Sequence, residues 1–394
     1  MMRLTCFFRH FAVPVGALLF LAPKITAQTV TNTWLGGTNL WDTPANWSAG
    51  AVPNQIGNPG SSFRVVIGSG APTLAADVTV DFVDMTGATL NGGGFNLEVL
   101  QGITFSGPVA DSLANINLTF TGGRWTQGDI ALSAGATMVS RGLFILEAAN
   151  TMTMDASSSW RNEGILTTTA DQLTTIGGNF VNAGTVLVPQ GGLQVVNDVV
   201  QESGDLILLG ISGQLTLASP TAADSTEIHI KGGSITGTGE VGKNIRVESN
   251  GLLSPGTVAD PYGHITSRGN LTLEAGSRVL INIGGPLFNP PTLQYDRFEA
   301  GGSLRAEGFL QVQLEDGFEP APGDRFLIAV SNGNMSVSFS NVAVGQWFET
   351  ADGGGSFRLV QENRNLYLQE FIPIPEPGVA VLVLLGAGVL RLRR

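Results

Sequence analysis

A glycine followed closely by apolar residues recurs at Gly123, Gly142, Gly164, Gly184 and Gly204, at steps of 19, 22, 20 and 20 residues. The local wording repeats with it, Arg161-Asn162-Glu163-Gly164-Ile165-Leu166 against Val181-Asn182-Ala183-Gly184-Thr185-Val186. Self-similarity at this period constrains a chain to stacked, near-identical units, none of which can bury its apolar face alone. Within and around the repeats the hydrophobic period is two. Val78, Val80 and Phe82 alternate with Asp77, Thr79 and Asp81, Leu271 and Leu273 with Asn270, Thr272 and Glu274, and Leu310, Val312 and Leu314 with Gln311, Gln313 and Glu315. Each run sends one set of side chains to a core and the other to water. No segment carries a 3.6-residue pattern of helix length, and the Leu-x-x-Leu-x-Leu frame is absent. Twenty residues suit one coil of two or three short strands, with glycine or asparagine at corners that need positive φ. The expected fold is all-β, a right-handed parallel β-helix; a sandwich with regularly spaced strands is the alternative.

The ends of the chain differ from the repeats. Residues 28–60 hold Trp34, Trp41 and Trp47, three of the six tryptophans, among Gly36-Gly37, Pro44, Pro53 and Pro59. Large aromatics beside turns suit a lid over the open end of a stacked fold. The same three residues are the candidates for stacking on sugar rings. Pro286–Pro291 marks a loop, after which 295–372 reads as a terminal β unit that includes Leu366-Tyr367-Leu368. The expected domains are therefore a signal peptide (1–27), a tryptophan-rich cap (28–60), repeats (61–285), a C-terminal β unit (286–372) and a tail (373–394).

The head has the layout of a secretory signal peptide. Arg3 and Arg9 precede the apolar Phe11–Ala22, and Ile25-Thr26-Ala27 offers a small residue for cleavage between Ala27 and Gln28. The single cysteine, Cys6, lies inside that segment, so the mature chain would hold no disulfide, thiolate or cysteine-bound metal. The tail runs Pro375-Glu376-Pro377, thirteen uncharged residues from Gly378 to Leu390, then Arg391, Arg393 and Arg394. As a helix the apolar run is roughly 20 Å long, short of the roughly 30 Å hydrocarbon core. The prolines leave an extended, accessible stretch ahead of it. Transient membrane insertion with the arginines on the cytoplasmic side is expected.

This tail resembles the PEP-CTERM sorting signal of Gram-negative bacteria, in which the tripeptide, a hydrophobic helix and a basic end are recognised by an exosortase. The resemblance covers about residues 373–394 and makes Pro375, Glu376, Pro377, Arg391, Arg393 and Arg394 the sorting residues. It implies export, signal peptidase and an exosortase-type enzyme as processing partners, and a cell-surface or extracellular location. The repeats, with the Trp34–Pro53 stretch, resemble the passenger regions of autotransporter-type surface proteins, but the membrane barrel of those proteins is replaced by the sorting tail.

Without the two ends the chain has 14 basic and 31 acidic residues, a formal charge of −17, with Lys231 and Lys243 its only lysines. Such a surface repels nucleic acid. His229 alternates onto a polar strand face with Glu227 and Lys231, and His264 follows Pro261-Tyr262-Gly263 in a turn. No Gly-x-Ser-x-Gly elbow, His-Glu-x-x-His helix or Asp-x-Asp-x-Asp-Gly loop is present. Asp77 and Asp81 on one strand face would stand roughly 13 Å apart, beyond the spacing that glycoside hydrolysis uses. The expectation is a non-enzymatic exported surface or matrix protein without a cofactor or metal. The alternative is a secreted protein that binds or degrades an extracellular polysaccharide.

Overall fold

The computed structural model describes residues 29–56, 60–147, 149–169, 173–188, 192–208, 214–217, 226–289 and 292–374. Ala27, Gln28 and the tail from Pro375 onward, including its expected helix, lie outside them. Among the described residues the only helical element is the single 3-10 turn Pro44–Asn46, and no helix is long and apolar enough to cross a membrane.

The twenty-residue period is the pairing step. One row of parallel strands runs Asn117–Phe120, Thr137–Ser140, Ser159–Asn162, Asn179–Asn182 and Val199–Gln201. A second row runs Gly123–Trp125, Leu143–Leu146, Ile165–Thr168, Thr185–Val188 and Asp205–Leu208. A third, from Asp111–Ala114 to Gln214–Leu217, belongs to a separate 14-stranded sheet. The first two rows are joined at both ends. Asn96–Phe105 pairs with Asn117–Phe120 and Gly123–Trp125, and Glu227–Gly237 pairs with Val199–Gln201 and Asp205–Leu208.

This joining corrects the expected architecture. The pairings return on themselves as a closed, twelve-strand parallel β-barrel with flanking strands, and not as a simple open right-handed β-helix. The cause lies in the two long strands. The corner that separates the rows elsewhere is carried through within one strand at each end, and a period read from the glycines does not register strands that cross a corner. The sandwich alternative also fails, because pairing between strands is parallel until the hairpin of Arg278–Asn289 with Thr292–Tyr295. That hairpin occupies the place where a loop at Pro286–Pro291 was expected, and parallel pairing continues past it, from Arg278–Asn289 to Phe309–Leu314.

Inward side chains stack in register. Leu118, Met138, Trp160, Phe180 and Val199 form one buried column, and Phe144, Leu166, Val186 and Leu206 another. Edge-on aromatic contacts join the two columns through Phe144 and Trp160, at 5.8 Å between ring centroids, and run along the first from Trp160 to Phe180, at 5.1 Å. Each large side chain so buried contributes about 1.5–3 kcal/mol.

The repeated Asn-x-Gly wording is explained at the corner. Ser140, Asn162, Asn182 and Gln201 are in register and fully buried. Asn162 accepts from Ser140 at 3.0 Å and donates to Asn182 Oδ1 at 2.7 Å, and Asn182 donates to Gln201 Oε1 at 2.8 Å. Two residues after each asparagine, and three after Gln201, Gly164, Gly184 and Gly204 each lie against the carbonyl oxygen of the glycine one step earlier, inside the space a Cβ would need. Asn182 also donates to the Gly184 carbonyl at 2.9 Å.

The alternation expected at 77–82 breaks within the strand Val78–Met85. The register shifts between Val80 and Phe82 in pairing with Asn96–Phe105, so Asp81 is buried and Phe82 turns outward. Asp81 is satisfied there by Gln55, by the Phe63 amide at 2.9 Å and by Gln101 at 2.9 Å.

The corner dictates two outcomes. Asn182→Ala orphans the Gln201 acceptor and is expected to cost about 2–3 kcal/mol, and Gly184→Ala about 1–3 kcal/mol through backbone overlap. Both should lower the urea midpoint of the circular-dichroism transition; an unchanged midpoint in both would remove the corner's structural role.

Candidate functional site

A half-buried group of ionisable side chains gathers where the strand Arg297–Ala300 pairs with His264–Ser267, beneath the hairpin. That pairing sets His264 opposite Arg297. His264 Nε2 lies 3.2 Å from Glu299 Oε1, and Arg297 Nη2 lies 2.5 Å from the same oxygen. The His264 hydrogen bond, followed by the Arg297 charge, holds the Glu299 carboxyl below its usual range against partial burial. Phe288 from the hairpin covers the group, its ring 5.4 Å from His264 and 4.9 Å from the Arg297 guanidinium carbon. Arg297 Nε is buried without a hydrogen-bond partner among the described residues.

Asp296, next in the chain, points the other way and is fully buried. Its two oxygens accept from the backbone amides of Gly263 and Asn282, each at 2.8 Å. Burial pushes its pKa well up, against those two hydrogen bonds and with the nearby Glu315 charge adding to the rise. The group ties the turn before His264 to the strand Arg278–Asn289. Its place is that of a structural clamp.

The geometry at His264 does not match a charge-relay base. A histidine base takes its carboxylate on one ring nitrogen and its nucleophile on the other. Here Glu299 and the Thr266 hydroxyl, at 3.4 Å, both approach Nε2. His229, expected on a polar strand face with Glu227, does sit there and is part of a surface network. Its Nδ1 is 3.1 Å from Glu248 and its Nε2 3.6 Å from Glu227, while Arg246 bonds Glu227 and Glu274, each at 2.7 Å. Much of the remaining surface charge is also paired between strands, adjacent ones in Arg64–Asp84 and Arg141–Glu163 and across an intervening strand in Arg161–Glu202 and Arg325–Glu362. Exposed pairs of this kind contribute about 0–1 kcal/mol each. Among the described residues no three His, Cys, Asp or Glu side chains are grouped as a metal would require.

The three tryptophans are not a sugar platform. Trp34, Trp41 and Trp47 are 4%, 1% and 1% exposed and pack edge-on, with centroids 5.0 Å apart for Trp34–Trp47 and 4.6 Å for Trp41–Trp47. Trp47 Nε1 donates to the Trp41 carbonyl at 2.6 Å and Trp41 Nε1 to the Pro53 carbonyl at 3.2 Å. The three rings are buried and the Trp41 and Trp47 donors are used internally, while Trp34 Nε1 is buried without a hydrogen-bond partner among the described residues, so the rings close this end of the core. The sorting residues Pro375, Glu376, Pro377, Arg391, Arg393 and Arg394, and the cleavage pair Ala27 and Gln28, lie outside the described residues.

The Arg297–Glu299 group is not legible in the sequence. Its only signal is the register that sets His264 opposite Arg297, which requires knowing which strands pair. No family model matches this chain, and no curated protein matches it.

A second buried carboxylate yields a pH test. Asp111 Oδ1 accepts from the amides of Gly87 at 2.7 Å and Ala88 at 3.0 Å, and burial pushes its pKa up to about 6. Because the folded state disfavours the ionised form, Asp111 contributes most below about pH 3.8, and that contribution is lost as pH rises through about 6. Asp111→Asn keeps an acceptor for both amides without the charge. It should raise stability at pH 8 by about 1–3 kcal/mol and flatten the pH 4–6 dependence in urea titrations; a loss of stability at pH 8 would contradict this.

Proposed function

We propose that the chain is an exported, non-enzymatic cell-surface or extracellular-matrix protein, sorted and processed through its C-terminal Pro375-Glu376-Pro377 signal. Signal peptidase removes residues 1–27, and an exosortase-type enzyme acts at the tail during its transient stay in the membrane. The observation that carries this reading is the ordered tail of tripeptide, thirteen apolar residues and three arginines. The body supports it in two ways. The stacked barrel is tightly registered, and many of its surface arginines are engaged with carboxylates of other strands. The polysaccharide alternative loses its aromatic platform to the core.

Glu376→Ala removes the only charge between the body and the apolar run. In the producing bacterium the wild-type protein should be recovered without residues 378–394, and Glu376→Ala should remain membrane-bound at the mass of the full tail. Intact mass after fractionation reads both. Persistence of residues 378–394 in the mature wild-type protein would overturn the reading.

A further inference from the structure

The body ends close to the place where the tail must enter a bilayer. The last strand, Asn365–Pro373, is held on both sides, antiparallel to Gly355–Glu362 and to Arg325–Ser331. Ile374 is still attached, its amide donating to the Gly354 carbonyl at 3.1 Å. The apolar run begins at Gly378, four residues later. Four extended residues span at most about 14 Å. The headgroup layer on each side of the hydrocarbon core occupies about 5–8 Å of that distance. Ile374 therefore stands within roughly 10 Å of the outer edge of the headgroups whenever the tail is inserted. A thirteen-residue apolar run is shorter than the core it enters, which draws its flanks inward and closes the gap further.

The surface at that end has the chemistry of an interface. Ile372 and Ile374 are 53% and 44% exposed. Beside them opens a groove of about 640 Å³ lined by Leu314, Phe318 and Phe371, with the exposed Glu319 and Asp352 also on it. The opposite end is the tryptophan-closed one. Eleven strand-to-strand pairings separate Ser62–Ile67, beside the tryptophans, from Phe309–Leu314, beside the groove.

We propose that this end face is a membrane-contacting surface: with the tail inserted, Ile372, Ile374 and the groove rest at headgroup level on a zwitterionic phospholipid bilayer, and the tryptophan end, eleven strand pairings away, stays clear of it. The proposal rests on the sorting reading above, because the tail must enter the bilayer. Glu319 and Asp352 select a zwitterionic surface, since an anionic one would repel them.

Residues 28–394, the chain left by signal peptidase, hold no cysteine and accept one thiol label at a chosen site. That chain, with its tail intact, is placed in phosphatidylcholine nanodiscs with an environment-sensitive fluorophore at Glu319→Cys, at Ala49→Cys near the tryptophans, or at Leu382→Cys in the tail. Quencher lipids labelled at the headgroup should reduce emission at position 319 at least twofold and leave position 49 unchanged, while position 382 reports a buried environment. A buried 382 with an unquenched 319 overturns the membrane contact and leaves the sorting reading standing. A 319 label protected only when the processing enzyme shares the disc also overturns it, in favour of an enzyme-docking face. A 382 label that stays in water overturns the sorting reading itself.

Discussion

Everything in this molecule depends on how closely one backbone corner approaches the next. At Gly164, Gly184 and Gly204 the carbonyl of the preceding glycine fills the space of a side chain, and the buried Asn162 and Asn182 bond each corner to its neighbours. A buried amide without its partner costs about 1–3 kcal/mol, so the stack of side-chain amides admits one register and no slippage. That register aligns the aromatic columns inside and the arginine–carboxylate pairs outside. The long strands Asn96–Phe105 and Glu227–Gly237 then tie the rows together at both ends, and the ring closes.

The local parts of this arrangement were legible in the sequence. The glycine spacing marked the pairing step, the Asn-x-Gly wording marked the corner, and period-two alternation placed Leu271, Leu273, Leu310, Val312 and Leu314 in the core. Closure was not legible, because it depends on two strands that continue through the corner at Gly102 and at Gly232-Gly233, where glycine reads in a sequence as a break between strands. Asp81 was misplaced for a related reason: a register shift of one residue exchanges the faces of a strand, and alternation carries no mark of it. The His264–Glu299–Arg297 group was invisible because His264 lies more than thirty residues before the other two and meets them only through the pairing of the strands that carry them.

Burial gives the same residue types different roles. Three tryptophans that might stack on sugars from an exposed loop instead close a core, and two aspartates with raised pKa values clamp backbone turns. Outside, the acidic excess of the body is offset locally by arginines paired across strands. Eleven strand pairings then separate two chemically distinct ends, one sealed by aromatics and one with exposed isoleucines beside the tail. A processed surface protein needs such a division, a stable body and an end that can meet a membrane.

Amide hydrogen exchange of the intact protein tests the governing role of the corner most directly. The corner amides of Glu163, Gly164, Ala183 and Glu202, bonded to the carbonyls of Ser140, Asn162 and Asn182, should exchange only through global unfolding and be among the slowest in the chain. Exchange at these amides as fast as in the terminal strands Thr29–Thr33 and Trp347–Glu349 would show that the corner does not hold the register, and the account built on it would fail.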